Sequence, residues 1–365
     1  VDIDGFDVEM KNQKELAKSG QKFEMDNLDL KWNLETKSSH SIFVGYENES
    51  ISSKIINHAE SGDDMIIILE NTPFYSESGG QIGDKGLIKN DDFSARVNDT
   101  QKNGDYILHI CTLTNGAIGD NLSVDCMIDV DRRNNIKVNH TATHLLHQSL
   151  KDVLGSHVNQ AGSLVHPEYL RFDITHPNKI SSKELEAIEL IVNRKIDEDI
   201  TVETSIKSLE EAKKEGATAL FGEKYGDQVR VVTMGKFSKE LCGGTHVSST
   251  GKVNKFKIKH DKAISSGVRR INAITNNQVD FYLKEISEEL GLQKEAEQKK
   301  AEEKQSQTIL LNKVNIDLIV SKPIMKINGT NLHFSKVELG IASDLKSLNK
   351  KIKNKIDSGI IFLFT

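Results

Sequence analysis

Short apolar runs separated by Gly, Asn and Asp dominate residues 34–131. They include Ser41–Tyr46, Met65–Glu70, Ile107–Leu113 and Leu122–Ile128. Runs of this length, bounded by turn-forming residues, are typical of β-strands, and a series of them favours a small closed sheet. The pattern therefore predicts a β-barrel subdomain over residues 31–131.

Helical and strand patterns alternate in the next part of the chain. One predicted helix covers residues 132–155 and ends at Gly155, and a second covers Lys183–Glu198 and is capped by Ser182. The predicted strands include Val229–Met234 and Val253–Ile258. We expect these elements to form one α/β subdomain over residues 132–276.

The two flanks of this region carry simpler patterns. Residues 1–30 are acidic and contain a helical pattern, Val8–Gly20, with little apolar surface, so we expect the tail of a preceding helical domain. Residues 293–308 favour a helix that is polar on every side, which is typical of a solvent-exposed spacer. We assign this helical spacer to residues 277–312.

Residues 313–365 are predicted to form a partial α/β domain. Its predicted elements are Ile316–Val320, a turn at Asn328-Gly329, a helix over Ala342–Ile356 and a final apolar strand, Ile360–Thr365. Because nothing follows the last strand, we expect the chain to be a piece of a longer protein. The complete pattern predicts the α+β class, with a small barrel, an α/β subdomain, a spacer and a partial α/β domain.

Composition limits the class of protein. The 365-residue chain is 37% hydrophobic and 28% charged, which is typical of a soluble protein with more than one domain. It has no apolar run long enough to cross a bilayer and no secretory signal pattern, so we expect a cytoplasmic protein without membrane contact. Nine Lys against four acidic residues in 313–357 indicate either a polyanionic partner or a solvated surface.

Two short motifs supply metal-binding side chains in pairs. His140 and His144 are four residues apart on a predicted helix and therefore project from one face. Cys242 and His246 enclose two glycines, which favour a tight loop in which sulfur and imidazole converge. Two such pairs suit tetrahedral zinc better than calcium or magnesium. The alternative is a set of packed histidines and a buried free cysteine, and the pairing of the motifs favours the metal.

Cysteine usage and known metal motifs narrow the chemistry further. The three cysteines form an odd set without disulfide spacing, which favours a reducing compartment and leaves Cys242 for metal or chemistry. A metalloprotease is excluded because Thr141 stands where the H-E-x-x-H motif needs a glutamate base. A zinc nucleobase deaminase is excluded because H-x-E and P-C-x-x-C are both missing. His147 shares the helix face of His144 and either supports a ligand or packs.

Two further segments carry polar groups suited to a ligand. Thr72–Gly86 holds four glycines and several hydroxyls, so it forms either a backbone-lined loop close to a ligand or a plain barrel corner. Gln160–Ser163 is typical of a turn that feeds the strand Leu170–Asp173, and its polar side chains are candidates to line a pocket.

A cationic strand face is the third candidate. Lys255, Lys257 and Lys259 alternate with Phe256 and Ile258, and Arg269-Arg270 follow in the next predicted strand. Such a face meets either phosphates or only solvent. We predict that Lys255, Lys257, Arg269 and Arg270 contact RNA.

Several of these segments, taken in chain order, resemble the editing region of bacterial alanyl-tRNA synthetases. They are His140–Leu146, Gln160–Ser163, Leu170–Asp173, Leu220–Tyr225, Glu240–His246 and Gly267–Arg270, and Thr72–Asp84 is similar to the barrel subdomain of that family. The resemblance covers about residues 30–276. More weakly, residues 1–29 resemble the end of the preceding domain, and residues 313–365 resemble the start of the C-terminal tRNA-binding domain.

The resemblance implies a hydrolase that removes serine or glycine from mischarged alanine tRNA, whose acceptor end it would bind. A pocket sized for alanine cannot exclude glycine and rejects serine only weakly, so a second site must destroy the errors. By residue-by-residue match, one zinc per chain would be held by His140, His144, Cys242 and His246. By the same match, three residues would have catalytic roles. Gln160 would hold the water or the terminal ribose, Thr72 would read the seryl hydroxyl, and Cys242 would be the third. Gln81 would contact the substrate.

The sequence also departs from the family and leaves alternatives open. We find no class II catalytic motifs, so the aminoacylation domain is expected to be missing, and ATP would serve only that domain. The spacer is shorter than the family's helical hairpin, and a homodimer is compatible with the full-length protein. Zinc with four protein ligands would organise the pocket, whereas zinc with a displaced ligand would act as a Lewis acid. The alternatives in function are a free-standing trans-editing hydrolase and a non-catalytic zinc module that binds tRNA.

Overall fold

The computed structural model describes residues 32–33, 40–219, 225–321, 325–337, 342–355 and 359–364. The predicted helix Val8–Gly20, the predicted tail over residues 1–30 and most of the segment Leu220–Tyr225 lie outside the described residues. The chain divides into two compact units, Val1–Asp280 and Phe281–Thr365. The finer division into five parts stays a prediction.

A closed antiparallel barrel of six strands confirms the predicted small barrel. The first eight strands in chain order are β1 (Ile42–Phe43), β2 (Ser50–Ser61), β3 (Asp64–Leu69), β4 (Asn71–Thr72), β5 (Gly86–Lys89), β6 (Phe93–Asn103), β7 (Tyr106–Gly116) and β8 (Ser123–Ile128). The barrel order is β2-β3-β7-β6-β5-β8, while β1 pairs with β4 in parallel. Alternate apolar residues such as Ile55, Ile67 and Ile88 fill the barrel core.

Helix α1 (Val130–Leu154) follows the barrel directly and carries the histidine motif. Its N-cap Asp129 accepts a hydrogen bond from the backbone N–H of Arg132, and the chain leaves the helical conformation at Gly155, which has a φ of 112°. The predicted helix over residues 132–155 is therefore confirmed. In the structure it begins two residues earlier, at Val130. Side chains from Val138 to Leu150 are almost all buried, so this helix lies inside the first unit.

Two antiparallel sheets and two more helices complete the first unit. The elements are β9 (Gln160–Val165), β10 (Leu170–Thr175), α2 (Ser182–Asp197), β11 (Val202–Ser208), α3 (Leu209–Lys214), β12 (Gln228–Met234), β13 (Ser238–Leu241), a 3-10 turn (Thr250–Val253), β14 (Phe256–Ser265) and β15 (Val268–Thr275). The sheets have the orders β14-β15-β10-β9 and β11-β12-β13. Apolar residues of α1, α2 and the four-stranded sheet share one core, with Leu146, Phe172 and Val192 fully buried.

Two local predictions need correction. Ser181, and not Ser182, caps α2, because its hydroxyl accepts from the backbone N–H of Glu184 while the Glu184 carboxylate accepts from the backbone N–H of Ser181. Gln160–Ser163 belongs to strand β9 and not to a turn, since these residues pair with β10 in an antiparallel ladder.

A buried ion pair fastens the start of α1 to the loop after β4. The side chains of Arg133 and Asp84 are 0% and 1% exposed, and Arg133 Nε donates to both carboxylate oxygens at 3.0 and 2.8 Å. Arg133 also donates to the backbone carbonyls of Gly45 and Pro73, at 2.8 and 2.9 Å. The backbone N–H of Tyr75 donates to the same carboxylate at 2.8 Å. Both buried charges are therefore surrounded by hydrogen-bond partners.

The second unit is a small mixed sheet with helices on one side. Its elements are α4 (Asn277–Lys313) from Phe281 onward, then α5 (Ile316–Ser321), β16 (Met325–Ile327), β17 (Thr330–Lys336), α6 (Ala342–Lys353) and β18 (Ile360–Phe364). Asn328 and Gly329 both have positive φ, 47° and 84°, and form the predicted turn between β16 and β17. Strand β18 pairs with β17 in parallel, and Leu348 and Ile352 of α6 are buried in the core.

The polar helix predicted over residues 293–308 lies within α4, whose side chains are exposed throughout residues 289–306. The assignment of residues 277–312 to a spacer stays a prediction. Among the helices that the structure describes, none is long and apolar enough to cross a membrane.

Candidate metal centre

Four side chains predicted as ligands converge inside the first unit. His140 and His144 lie on α1, and Cys242 and His246 lie in the loop after β13, with all four potential ligand atoms within 4.8 Å of one another. Cys242 Sγ is 3.3 Å from Nε2 of both His140 and His246. A tetrahedral zinc with Zn–S of about 2.3 Å and Zn–N of about 2.0 Å places its ligands about 3.5 Å apart. The donor atoms and their spacing therefore fit a four-coordinate zinc.

The loop between Cys242 and His246 is shaped by glycine, as the sequence predicts. A Cβ atom on Gly244 would lie 2.0 Å from Cε1 of His140, so no larger residue fits without displacing that ring. Arg230 donates from Nη1 to the backbone carbonyls of Cys242 and Gly244, at 3.1 and 2.9 Å. The hydroxyl of Tyr46 donates to the carbonyl of Gly243 at 2.5 Å. Arg230 and Tyr46, which stack on each other, therefore hold the loop, while the glycine lets it approach α1.

Glu240 orients two histidines at once. One of its carboxylate oxygens, Oε2, lies 2.9 Å from Nδ1 of His144 and 3.1 Å from Nδ1 of His147. Because a carboxylate only accepts, both imidazoles donate from Nδ1 and keep Nε2 for another partner. Nε2 of His144 is buried and has no hydrogen-bond partner in the structure. A metal ion at the centre would satisfy this atom.

His147 fulfils both roles considered for it. It shares Glu240 with His144, and its ring packs against Phe172 with the ring centroids 5.2 Å apart. The third imidazole, that of His246, has Nδ1 at 3.2 Å from the hydroxyl of Thr141.

The centre concentrates negative charge. Burial opposes the Cys242 thiolate, but the imidazoles of His140 and His246 outweigh burial and hold the pKa of Cys242 well below its usual range. Burial likewise opposes the Glu240 carboxylate, and the adjacent His144 and His147 hold its pKa well below the usual range. Burial would lower the pKa of His144, but Glu240 and Cys242 raise it to about 10. A thiolate and a carboxylate in one buried site attract a cation, which suits a divalent metal.

A small cavity of about 90 Å³ adjoins the centre. Its wall includes Tyr75, Ser78, His140, Thr143, His144, His147, Gln160, Ser163, Phe172, Tyr225, Glu240 and Cys242. Gln160, predicted to act on the substrate, is thus brought beside the predicted metal ligands. The cavity therefore has room for several water molecules or for a small group of comparable size.

Thr72 does not reach this cavity. Its side chain is 0% exposed inside the barrel, and its hydroxyl lies 2.8 Å from Nε2 of His109 and accepts from the backbone N–H of Phe74 at 3.1 Å. Both of these partners lie inside the protein, and Thr72 is not among the residues that line the cavity. The role of Thr72 in reading a seryl group stays a prediction.

Gln81 is also buried and lies outside the cavity lining. It is 0% exposed, and its amide bonds to His140 and Thr245. The structure thus places Gln81 in contact with a predicted metal ligand, and its contact with substrate stays a prediction.

The predicted RNA-contacting cations are all paired with acids. Arg269, which is 7% exposed, is held by both oxygens of Asp261, and Arg270 donates to both oxygens of Asp173 at 2.8 Å. The sequence did not show these partner acids across the sheet. Phosphate contact by the two arginines stays a prediction.

The lysines of the same face are also engaged, although more loosely. Lys255 lies 2.6 Å from Asp280, and Lys257 lies 2.8 Å from Glu189. Phe256 and Ile258 are buried between them, so the predicted alternation is confirmed. Surface ion pairs contribute little and exchange readily, so the phosphate role of Lys255 and Lys257 stays a prediction.

Sequence reasoning missed the residues that support the ligands. Glu240 could have been found from its position, two residues before Cys242, because alternate residues of an extended chain lie on the same face. Arg230 and Tyr46 gave no comparable signal, since they reach the loop from distant strands and turns.

Comparison with known proteins matches these features to one family. The profile described as "tRNA synthetases class II (A)" matches residues 1–132, and "Threonyl and Alanyl tRNA synthetase second additional domain" matches residues 229–272. The alanine–tRNA ligase of Legionella pneumophila (strain Lens) is 37% identical over all of this chain and 45% of its own length. The alanine–tRNA ligase of Bacillus anthracis is 39% identical over all of this chain and 44% of its own length.

The chain therefore spans just under half the length of the curated relatives it matches. Because the whole chain aligns at 37–39% identity with proteins that share one name, and both profiles describe tRNA synthetases, the chain belongs to the alanyl-tRNA synthetase family.

Proposed function

We propose that this chain hydrolyses the ester bond of mischarged alanine tRNA, releasing serine or glycine. The observation that carries the proposal is the convergence of His140, His144, Cys242 and His246 beside a small cavity that also contains Gln160. Membership of the alanyl-tRNA synthetase family supplies the substrate class, and the cavity supplies a place for its aminoacyl group.

The metal in this proposal is one zinc per chain, held by the four converging side chains. When bound, it would supply positive potential to the site and polarise a nearby carbonyl group. Because four protein ligands fill a tetrahedral site, we favour an organising zinc over one that carries the attacking water. Nε2 of His144 is buried without a hydrogen-bond partner, which supports an organising zinc, because a zinc with four protein ligands would need all three histidines.

Gln160 is the proposed positioning group for the nucleophile. It begins β9 at the cavity wall, and its amide has both a donor and an acceptor with which to hold water or the terminal ribose. An ester is an easily cleaved bond, so orientation of water beside a polarised carbonyl is a sufficient catalytic device.

The cavity also offers a basis for selecting serine. Thr143 and Ser163 are among the residues that line it, and the Thr143 hydroxyl donates to the carbonyl of Asn139 at 2.8 Å, so its oxygen can also accept a hydrogen bond. A seryl hydroxyl that donates to such an oxygen gains about 1 kcal/mol, whereas an alanyl methyl group gains nothing. We therefore propose that these cavity residues contribute to the recognition of serine, beside the role predicted for Thr72.

The remaining parts of the proposal concern the context of the site. We propose that residues 31–131 and 132–276 act together as the editing region, that the acceptor end of tRNA(Ala) is the partner, and that the protein acts in the cytoplasm. The ATP-dependent ligase activity named for the relatives would require a domain that residues 31–276 do not supply.

The test is release of amino acid from seryl-, glycyl- and alanyl-tRNA(Ala) by the purified chain. We expect hydrolysis of the first two and little of the third, with Gln160→Ala reducing the rate about 100-fold. Gln148→Ala is the matched control, because Gln148 is on α1 but bonds only to Asp152 at the surface. Binding of tRNA without release would instead indicate a non-catalytic module, and equal hydrolysis of alanyl-tRNA would refute an editing role.

A further inference from the structure

The loop after β4 lies against the metal centre although it belongs to the barrel part of the chain. Gln81 pairs with Val165 as a short parallel bridge, and the backbone N–H of Val165 donates to the carbonyl of Gly80 at 2.7 Å. The loop is thus fastened to β9, the strand that begins with Gln160. This places the side chain of Gln81 inside the protein, between α1 and the Cys242–His246 loop.

The amide of Gln81 joins the two halves of the ligand set. Its Oε1 accepts from the backbone N–H of Thr245 at 2.9 Å and lies 2.8 Å from Nδ1 of His140. Its Nε2 donates to the hydroxyl of Thr245 at 3.0 Å. One side chain therefore contacts a ligand on α1 and the residue directly before the ligand His246.

These contacts fix the orientation of the amide and the tautomer of His140. A backbone N–H can only donate, so the atom of Gln81 facing Thr245 N must be the carbonyl oxygen. The same oxygen can only accept from His140, so His140 carries its hydrogen on Nδ1. Nε2 of His140, 3.3 Å from Cys242 Sγ, is then left with its lone pair toward the centre.

We propose that Gln81 is a positioning residue of the metal site: it selects the ligating tautomer of His140 and holds the Cys242–His246 loop against α1. This inference depends on one part of the proposed function, namely that a metal binds at the centre. It makes the barrel part of the chain a component of the centre, because without this loop His140 loses its acceptor and Thr245 loses both hydrogen bonds.

The experiment measures metal affinity and not hydrolysis. Zinc affinity is determined by chelator competition, and the ligand field by the visible absorption of the cobalt(II)-substituted chain. Gln81→Met removes the acceptor and the donor at nearly constant size, and we expect zinc affinity to fall 10- to 100-fold with an altered cobalt spectrum. Gln81→Glu keeps the acceptor for His140 and Thr245, so we expect it to retain the affinity and spectrum of the unchanged chain.

Thr72→Val is the matched control, because it also removes a buried hydrogen bond in the barrel part of the chain but one directed to His109. It should lower thermal stability without changing zinc affinity. If Gln81→Met does not fold, Gln81→Asn replaces it, since the shortened amide cannot keep both contacts. Unchanged affinity in a folded Gln81→Met or Gln81→Asn chain overturns the positioning role alone, whereas absence of metal binding by the unchanged chain overturns the metal site itself.

Discussion

The ion pair between Arg133 and Asp84 offers a sharp test of how the site is supported. Replacing Arg133 with Met keeps most of the side-chain volume but leaves the Asp84 carboxylate, 1% exposed, without its counterion. Removing one partner of a buried pair typically costs about 3–5 kcal/mol. The carbonyls of Gly45 and Pro73 also lose their donor, while the Tyr75 N–H remains on Asp84. We therefore expect a loss of about 4 kcal/mol in the free energy of unfolding of the first unit.

Urea unfolding followed by the fluorescence of Trp32 is suited to this measurement. Trp32 is the single tryptophan of the sequence and packs against Ile66, Ile68 and Leu108 of the barrel strands. Arg194→Met is the matched control, since Arg194 forms an exposed pair with Glu198 at 3.2 Å and should change stability by about 0.5 kcal/mol or less.

The stability of a double variant distinguishes the loss of a counterion from a simple loss of packing. If the unpaired carboxylate is the cause, Arg133→Met combined with Asp84→Leu should be more stable than Arg133→Met alone. If Arg133→Met proves no more destabilising than Arg194→Met, or if the second substitution only adds to the loss, the reasoning from the buried charge is refuted.

Three further predictions concern the centre and the barrel. Elemental analysis of chain purified without chelator should find about one zinc per chain, and Cys242→Ala should lose most of the zinc and the hydrolysis of seryl-tRNA, whereas zinc-free active protein would contradict the assignment. Gly244→Ala should weaken metal binding because its Cβ would lie 2.0 Å from the His140 ring, while Gly243→Ala, which meets nothing within 4 Å, should bind zinc normally; equal affinities would exclude the steric argument. Burial lowers the pKa of His109 from 6.5 to about 4, so the unfolded chain takes up this proton first as pH falls. The stability that His109 contributes is therefore present above pH 6.5 and is lost as pH falls toward 4, by about 3 kcal/mol. Unfolding curves across this range should show a slope that His109→Gln reduces, and an unchanged slope would show that other groups cause it.

Features that depend on local spacing were predictable from the sequence. His140 and His144 are one helical turn apart, and Cys242 and His246 are separated by a glycine pair, so local geometry alone brings each pair together. The barrel and α1 were predictable for the same reason, because their signals repeat within a few residues.

Features that depend on distant partners were not predictable in this way. Gln81 and Thr245 lie 164 positions apart, and no local pattern indicates that one amide serves both halves of the ligand set. The ion pairs of the cationic face were missed for a related reason, since Arg270 meets Asp173 only after β10 and β15 pair. Thr72 shows the limit of a motif match, which gives a position in the chain but not whether that side chain faces a ligand or the core.

The distance in sequence between the two ligand pairs affects more than the local chemistry. His140 and Cys242 stand 102 positions apart, so a metal bound to both would close a loop of the kind that a disulfide closes. In the chain-entropy treatment, closing a loop of about 100 residues stabilises the folded state by roughly 4–5 kcal/mol through the unfolded state. Such a cross-link needs no oxidant and can be removed by a chelator. Metal removal is therefore expected to lower the free energy of unfolding of the unit that contains α1 and β13, and not only to free the four residues that would hold the ion.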